Sequence, residues 1–402
     1  MPATRASTRT RGRHTALVVC VVVLGVAAAC SRTSSTTQAS GAPTSTSSTL
    51  AAPWQGTLTV SSLPATVQAL QAISCATASR CWAVGSTVAT SAAPSGPVLV
   101  TSTDGGATWA LQPLPAGVGY LTGIACASSR ACTAVGQVGG TGVGPGAILT
   151  TTNSGTTWTS EPVPAGTTDV TAVACPHRGR CTALGTVSGR VTTLTPTGAG
   201  GAWTAGGLLP VTASVATSLA CTDSLHCWAT ASDTVDPSHA VGSIDASDDD
   251  GTTWVPQTVP PGIGAINAVD CTPPTTRPTA VTAACTAVGT TSTVLNSART
   301  GQAVVLTSNG SGTWSSQPVP ATAADLLDVS CGAGPCVAVG TTVATDAQAG
   351  TVVLTTATGG TSTIWRRSRS VAVALPLTGV SCVSLAACVV VGESVSARIT
   401  AG

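Results

Sequence analysis

The sequence predicts an all-β fold, a seven-bladed β-propeller of four-stranded antiparallel blades, on three observations. Cysteines fall into seven pairs whose first members are 51, 49, 46, 50, 60 and 51 residues apart. One tryptophan precedes each pair: Trp54, Trp109, Trp158, Trp203, Trp254, Trp314 and Trp365. Between them lie short β-branched runs broken by Gly, Asn and Asp turns, with no useful helical periodicity after residue 50. A fixed period of this length marks a repeat array, and four-stranded units repeated radially are propeller blades.

Each unit reads as four strands. The first ends in L-x-x-I-x-C, as in Leu70–Cys75 and Leu121–Cys126, and the second is C-x-A-V-G, as in Cys81–Gly85 and Cys132–Gly136. A third run such as Ala147–Thr151 leads through a Gly-rich turn to a fourth that opens at the Trp. The last unit, residues 374–402, is one strand short, whereas the chain after residue 50 opens on a Trp strand with no unit of its own. Residues 51–63 are therefore expected to complete blade seven, which removes the open edge a linear array would leave.

Five pairs are C-x5-C: Cys75 with Cys81, Cys126 with Cys132, Cys175 with Cys181, Cys221 with Cys227, and Cys382 with Cys388. The pair of Cys331 and Cys336 is one residue shorter, and that of Cys271 and Cys285 carries an insertion. Each pair joins the end of one strand to the start of the next, so seven disulfides within blades are expected. Zinc is the rival, but the spacing is wrong for knuckles and no unit adds a consistent His. No metal and no cofactor is expected.

Ser102-Thr103-Asp104-Gly105-Gly106-Ala107-Thr108-Trp109 and Ser247-Asp248-Asp249-Asp250-Gly251-Thr252-Thr253-Trp254 both fit S-x-D-x-G-x-x-W. This pattern resembles the Asp-box, or bacterial-neuraminidase, repeat. The Asp accepts hydrogen bonds from its own turn, Gly takes a positive φ, and the Trp covers the hairpin. Asn153 with Trp158 keeps the plan, Asn309 with Trp314 is looser, and the units ending at Trp203 and Trp365 lack the Asp. The resemblance implies a propeller shared with sialidases, endoglucanases and assembly factors of photosystem II, with the boxes on outer turns away from any active site.

The N-terminus reads as a processing signal. Arg5, Arg9, Arg11 and Arg13 precede an apolar stretch from Ala16 to Ala29, too short to span a bilayer, and the segment ends Ala27-Ala28-Ala29-Cys30. It resembles a bacterial lipoprotein signal, which implies that residues 1–29 are removed and that Cys30 is lipidated, although Ala27 stands where Leu is usual. Cys30 is also the cysteine left over once Cys20 leaves with the signal and seven pairs are formed. The alternative is plain secretion with a free thiol at Cys30. Residues 30–50 are nearly all Ser, Thr, Ala, Gly, Pro and Gln and read as a disordered tether, with the propeller spanning 51–402.

The chain has 16 basic residues, all Arg; losing the four in the signal leaves 12 against 15 acidic ones, a net charge of −3. That balance argues against nucleic acid. A monomer, exported and lipid-anchored to the outer face of a bacterial cell membrane, is expected. Its expected partner is a protein or a cell-wall or extracellular glycan.

Candidate site residues come from the innermost strand. Six residues before the first cysteine stand Ala69, Tyr120, Asp169, Val215, Ala265, Asp325 and Pro376. Three before it stand Ala72, Gly123, Ala172, Ser218, Ala268, Asp328 and Gly379, small nearly throughout, as crowding at the axis requires. Polar departures from that rule, Tyr120, Asp169, Asp325 and Asp328, together with Asp270, are the ligand-binding candidates. The same carboxylates would also serve by bonding neighbouring backbone. Trp82 and Trp228 could stack on sugars or pack between blades, and Asp245 with Asp248, Asp249 and Asp250 could form an oxygen cage for calcium.

The enzyme reading is a glycosidase. A sialidase needs an arginine cluster and a Tyr/Glu nucleophile pair, whereas this chain has one Tyr and two Glu, Glu161 and Glu393, outside the inner strands. An inverting glycosidase with Asp169 and Asp325 as its catalytic pair is the remaining catalytic alternative to a non-catalytic binding or scaffolding module.

Overall fold

Alternating apolar residues along the first strand of each repeat, and nearly continuous apolar runs along the second and third, generate seven four-stranded antiparallel sheets. The computed structural model describes residues 57–400 apart from 92–93, 140–143, 177–179, 199–200, 211–213, 234–240, 273–283, 292–300, 309, 333–335, 343–350, 357–364, 368–374 and 385. Cys30, the proposed tether, Trp54 and Asn309 lie outside the described residues. Blade 1 is Val67–Cys75, Cys81–Thr87, Pro97–Ser102 and Ala110–Leu111, paired in that order. Blades 2 to 6 repeat it from first strands Val118–Cys126, Thr167–Ala174, Ser214–Cys221, Ala265–Thr272 and Ala323–Ser330. Among the described residues there is no helix.

Blade 7 is built from both ends of the chain. Leu377–Ser384, Ala387–Gly392 and Val395–Thr400 pair in sequence, and Thr57–Ser61 adds the outer strand with Thr57 opposite Thr400 and Ser61 opposite Ser396. The ring closes as the missing strand requires.

All seven expected disulfides form, each within its own blade. Cys75 bonds to Cys81 in blade 1, Cys126 to Cys132 in blade 2, Cys175 to Cys181 in blade 3 and Cys221 to Cys227 in blade 4. Blade 5 joins Cys271 to Cys285 across the insertion, blade 6 joins Cys331 to Cys336 across the shorter loop, and blade 7 joins Cys382 to Cys388. Their Cα atoms are 3.9–4.1 Å apart, so the insertion and the deletion change the loop and leave the strand ends in place. In the chain-entropy picture each seven-residue loop so closed contributes about 2.4 kcal/mol.

The S-x-D-x-G-x-x-W turns dock on the same end of the blade. Ser102 Oγ donates to Asp104 Oδ1 (2.8 Å), which accepts the N–H groups of Ala107 and Thr108 (3.0 and 2.9 Å). The hydroxyl and N–H of Thr108 hold the Asp104 carboxyl down at about 2. Asn153 keeps the geometry with one bond reversed, its Nδ2 donating to Thr157 Oγ1 at 2.8 Å where Asp104 and Asp249 accept from a Thr hydroxyl. Gly105 N, Ser154 N and Asp250 N then donate to carbonyls of their own blade's cysteine loop, Ser79, Arg130 and Leu225 (2.8–3.0 Å).

The tryptophans do more than cover hairpins. Trp109 in blade 1 packs with Val389 and Val391 of blade 7 and donates from Nε1 to Ser396 Oγ (3.1 Å). Trp254 in blade 4 likewise reaches Thr193 Oγ1 of blade 3 (2.8 Å). Trp109, Trp158, Trp203, Trp254, Trp314 and Trp365 are thus each buried against the preceding blade, and six of the seven apolar clusters hold one of them at a seam between blades. In the seventh, between blades 6 and 7, Leu58 of the N-terminal strand packs against the cluster. Trp82 and Trp228 are buried in two of these seams, so both are packing residues, with no plane offered to a sugar.

Candidate functional site

Antiparallel topology sorts the ends of the strands onto two faces. Disulfides and Gly-rich turns occupy one, the stapled face. Starts of the first strands and the connections between second and third strands occupy the other. On this unstapled face those connections range from two residues (188–189) to twelve (291–302). Length variation on a fixed scaffold is where binding residues are usually placed. Val88, Tyr120, Val138, Val215, Val241 and Leu375 are exposed there, and among large apolar residues such exposure is a docking signal when contiguous.

A channel of about 350 Å³ runs between the seven first strands. Every first strand carries a β-bulge at the same place, between the residues five and three before the cysteine, as between Leu70 and Ala72, Leu121 and Gly123, or Leu326 and Asp328. The extra residue, four before the cysteine, is Gln71, Thr122, Thr171, Thr217, Asn267, Leu327 or Thr378. A bulge re-aims its side chain, and in four blades that side chain bonds to the next blade. Thr122, Thr217 and Thr378 donate to the carbonyls of Val170, Ile266 and Leu70, and Asn267 Nδ2 to that of Leu326 (2.6–3.0 Å).

Asp270 and Asp328 belong to the same inter-blade system. Asp270 Oδ1 accepts from Cys271 N and Oδ2 from Cys331 N of blade 6 (2.8 and 2.7 Å). Asp328 Oδ1 accepts from Val329 N and Oδ2 from Val380 N of blade 7 (2.9 and 2.8 Å). Ser74, Ser330 and Ser381 use their hydroxyl oxygens in the same way, accepting from Cys126 N, Cys382 N and Cys75 N (2.9–3.1 Å). Both carboxylates are half-buried and line the channel, deep among the seven first strands. Burial raises Asp270 to about 6 and Asp328 to about 7, the charge of Asp270 adding to the latter.

Tyr120, Asp169 and Asp325 stand nearer the unstapled mouth, in three different blades. Tyr120 is exposed and its hydroxyl donates to Gln71 Oε1 of blade 1 (2.7 Å). Asp325 Oδ1 accepts from Asn267 Nδ2 of blade 5 (2.9 Å). Asp169 Oδ1 accepts from Thr186 N in its own blade (3.0 Å), and the residue lines a second cavity of about 670 Å³ with Gln137, Gly144, Pro145 and residues 163–168. The acidic run on blade 4 is not drawn together into a cage. Asp249 is held by its turn, Asp250 by Arg180 and Thr182 of blade 3, and Asp245 is buried in the sheet.

No protein-family model and no curated protein matches the sequence. Solved structures do match over most of the chain. YCF48 bound to D1 peptide shares 15% identity over 86% of this chain and 97% of that one, with a TM-score of 0.57. A streptogramin B lyase shares 10% over 87% and 99%, also at 0.57. A catalytically inactive virginiamycin B lyase from Staphylococcus aureus with Quinupristin shares 10% over 86% and 99%, at 0.55. The likeness is one of fold.

Sequence reasoning missed the bulge residues and set Asp245 in a calcium cage, whereas it is buried in the sheet. The first had a readable signal, because six of the seven residues four places before the cysteine are polar, Gln71, Thr122, Thr171, Thr217, Asn267 and Thr378, with Leu327 the exception. Asp245 had one too: two residues before Ser102, Thr151, Ser308 and Thr356 stand Val100, Leu149, Leu306 and Leu354, and the same count from Ser247 gives Asp245.

Proposed function

We propose that this chain is an exported, lipid-anchored propeller that binds a protein or glycan through its unstapled face and performs no catalysis. One observation carries the reading: the two carboxylates that line the central channel, Asp270 and Asp328, are engaged in holding blades together. Asp270 and Asp328 each accept a backbone N–H on both oxygens. A general acid or base needs an oxygen within reach of substrate. An inverting glycosidase further needs carboxyl groups about 6.5–9.5 Å apart. Asp169 and Asp325 stand on blades 3 and 6 of seven, far around the ring from one another. The exposed apolar residues on the unstapled face favour a protein partner over a glycan, and YCF48, of the same fold, is a propeller with a bound peptide. Anchoring through Cys30 would hold the propeller at the cell surface.

The test is a pull-down with the lipidated full-length chain, alongside a glycan array. A captured protein lost on Val215→Glu with Val241→Glu is the expected result. Hydrolysis of a wall glycan that Asp169→Asn or Asp325→Asn abolishes would overturn the non-catalytic reading. Fatty-acid labelling should mark wild type and spare Cys30→Ala; equal label in both would sink the anchor.

A further inference from the structure

The geometry points to the cavity between blades 2 and 3 as a recognition site for a cationic side chain, arginine or lysine, of a protein partner, with Asp169 as the counter-charge. The inference rests on the protein-binding form of the function proposed above and names the chemistry of the contact. Pro145, Val163, Pro164 and Ala165 supply an apolar wall, and Gln137, Thr168 and Asp169 supply the polar end. At about 670 Å³ the cavity lies within the usual range of ligand sites, roughly 300–1,000 Å³.

Asp169 is fixed and half-used. Its Oδ1 accepts the N–H of Thr186 at 3.0 Å, which sets the plane of the carboxylate, while Oδ2 has no hydrogen-bond partner among the described residues. The ion pairs among the described residues, Arg180 with Asp250 and Asp223 with His226, involve the cysteine loops and turns of the stapled face, so neither reaches it. Gln137 is steadied by its Nε2 bond to the carbonyl of Thr168 (3.2 Å).

A partner that closed the mouth with a neutral apolar group would bury Oδ2 unpaired, and an unpaired buried charge is strongly penalised. An arginine or lysine satisfies both ends. Its methylene stem lies along Pro145, Val163 and Pro164, and its head meets the carboxylate in a charge-assisted hydrogen bond. A sugar is the poorer fit, because no aromatic ring among the described residues lines the cavity for it to stack on.

Amide NMR of the folded full chain, titrated with acetyl-arginine-amide, acetyl-lysine-amide, acetyl-citrulline-amide and a methyl glycoside, tests this directly. The two cations should shift Gly166, Thr167 and Thr168 saturably, with citrulline and the sugar at least tenfold weaker. Asp169→Asn keeps the acceptor for Thr186 N–H and so keeps the fold; it should abolish the shifts, whereas Asp325→Asn should leave them intact. Equal responses to arginine and citrulline, a response to the sugar alone, or full binding by Asp169→Asn would overturn the site. Capture of a protein partner by wild type and Asp169→Asn alike would overturn it too, while leaving the binding function standing.

Discussion

Asp245 shows how one side chain departs from its repeat. Its counterparts Val100, Leu149, Leu306 and Leu354 sit in the apolar seam with the preceding blade, and Asp245 is as buried as they are, at 1% exposure. Oδ1 has no hydrogen-bond partner, and Oδ2 has only Ser243 Oγ at 3.5 Å. Burial accordingly raises the carboxyl to about 6. The folded state therefore holds this proton over a range, from about pH 4 to about pH 6, where the unfolded chain has released it, so stability falls as pH rises through that window. The differential is about 3 kcal/mol for a shift of this size. Asp245→Leu should raise stability at pH 7.5 by roughly 1–3 kcal/mol and lessen its fall between pH 4 and 7, Asp270 and Asp328 keeping their own share of that fall. Urea unfolding at several pH values measures both, and a destabilised variant would show that the carboxylate has a use the fold conceals. The sequence contained the register that places Asp245 in the core, but the neighbouring Asp248, Asp249 and Asp250 make it look like part of a solvated cluster. Local crowding of like residues hides a position that only comparison between repeats reveals.

Among elements, the first strand with its bulge explains the glycine of C-x-A-V-G. The bulge brings the carbonyl six places before the cysteine over the second strand. A Cβ added at Gly85, Gly136, Gly289 or Gly340 would lie 1.9–2.0 Å from the oxygen of Ala69, Tyr120, Ala265 or Asp325. Blade 4 carries Ala231 at this position. Gly136→Ala should cost more than about 3 kcal/mol, since the clash is with backbone that cannot rotate away. Gly139→Ala, with φ of 83° and nothing within 4 Å, should cost only about 1 kcal/mol for the left-handed conformation. Thermal unfolding of the pair decides the matter: equal losses would mean that the close approach is not what selects glycine. The motif itself was legible as strand grammar, and so were the small residues three places before the cysteine. The cysteine partners were legible too, because Cys181, Cys227, Cys336 and Cys388 each stand five or six residues from their mates, and even Cys285 keeps its place at the head of a second strand. Partners in other blades were not. Thr122, Asn267, Asp270 and Asp328 bond to atoms of the following blade, some 50 to 60 residues on, and no local pattern names an acceptor at that range.

At the scale of the molecule, two sets of bonds act at different levels. Disulfides and the turn bonds of Asp104 and Asp249 lie within blades, whereas bulge side chains such as Thr122, the carboxylates of Asp270 and Asp328 and the tryptophans act between them. Cross-links inside a blade cannot close the ring. Closure falls to Thr57–Ser61, which pairs along Val395–Thr400 and sets Leu58 on the seam between blades 6 and 7. Ser396, in the strand it covers, is also the residue that Trp109 of blade 1 binds, so loss of the outer strand loosens a strand that supports both neighbours. This closure was legible because the last repeat was one strand short and the first strand had no repeat. Deleting residues 51–61 should leave Val395–Thr400 as an exposed edge and lower Tm by about 5 °C or more, a few kcal/mol for a domain of this size. Deleting residues 31–50 should leave Tm unchanged. Because the seven disulfides survive the first deletion, its effect should add to that of reduction rather than be masked by it. An unchanged Tm after losing residues 51–61, or a loss seen only under reducing conditions, would mean that the ring is held by the blades' own seams and that the terminal strand is dispensable.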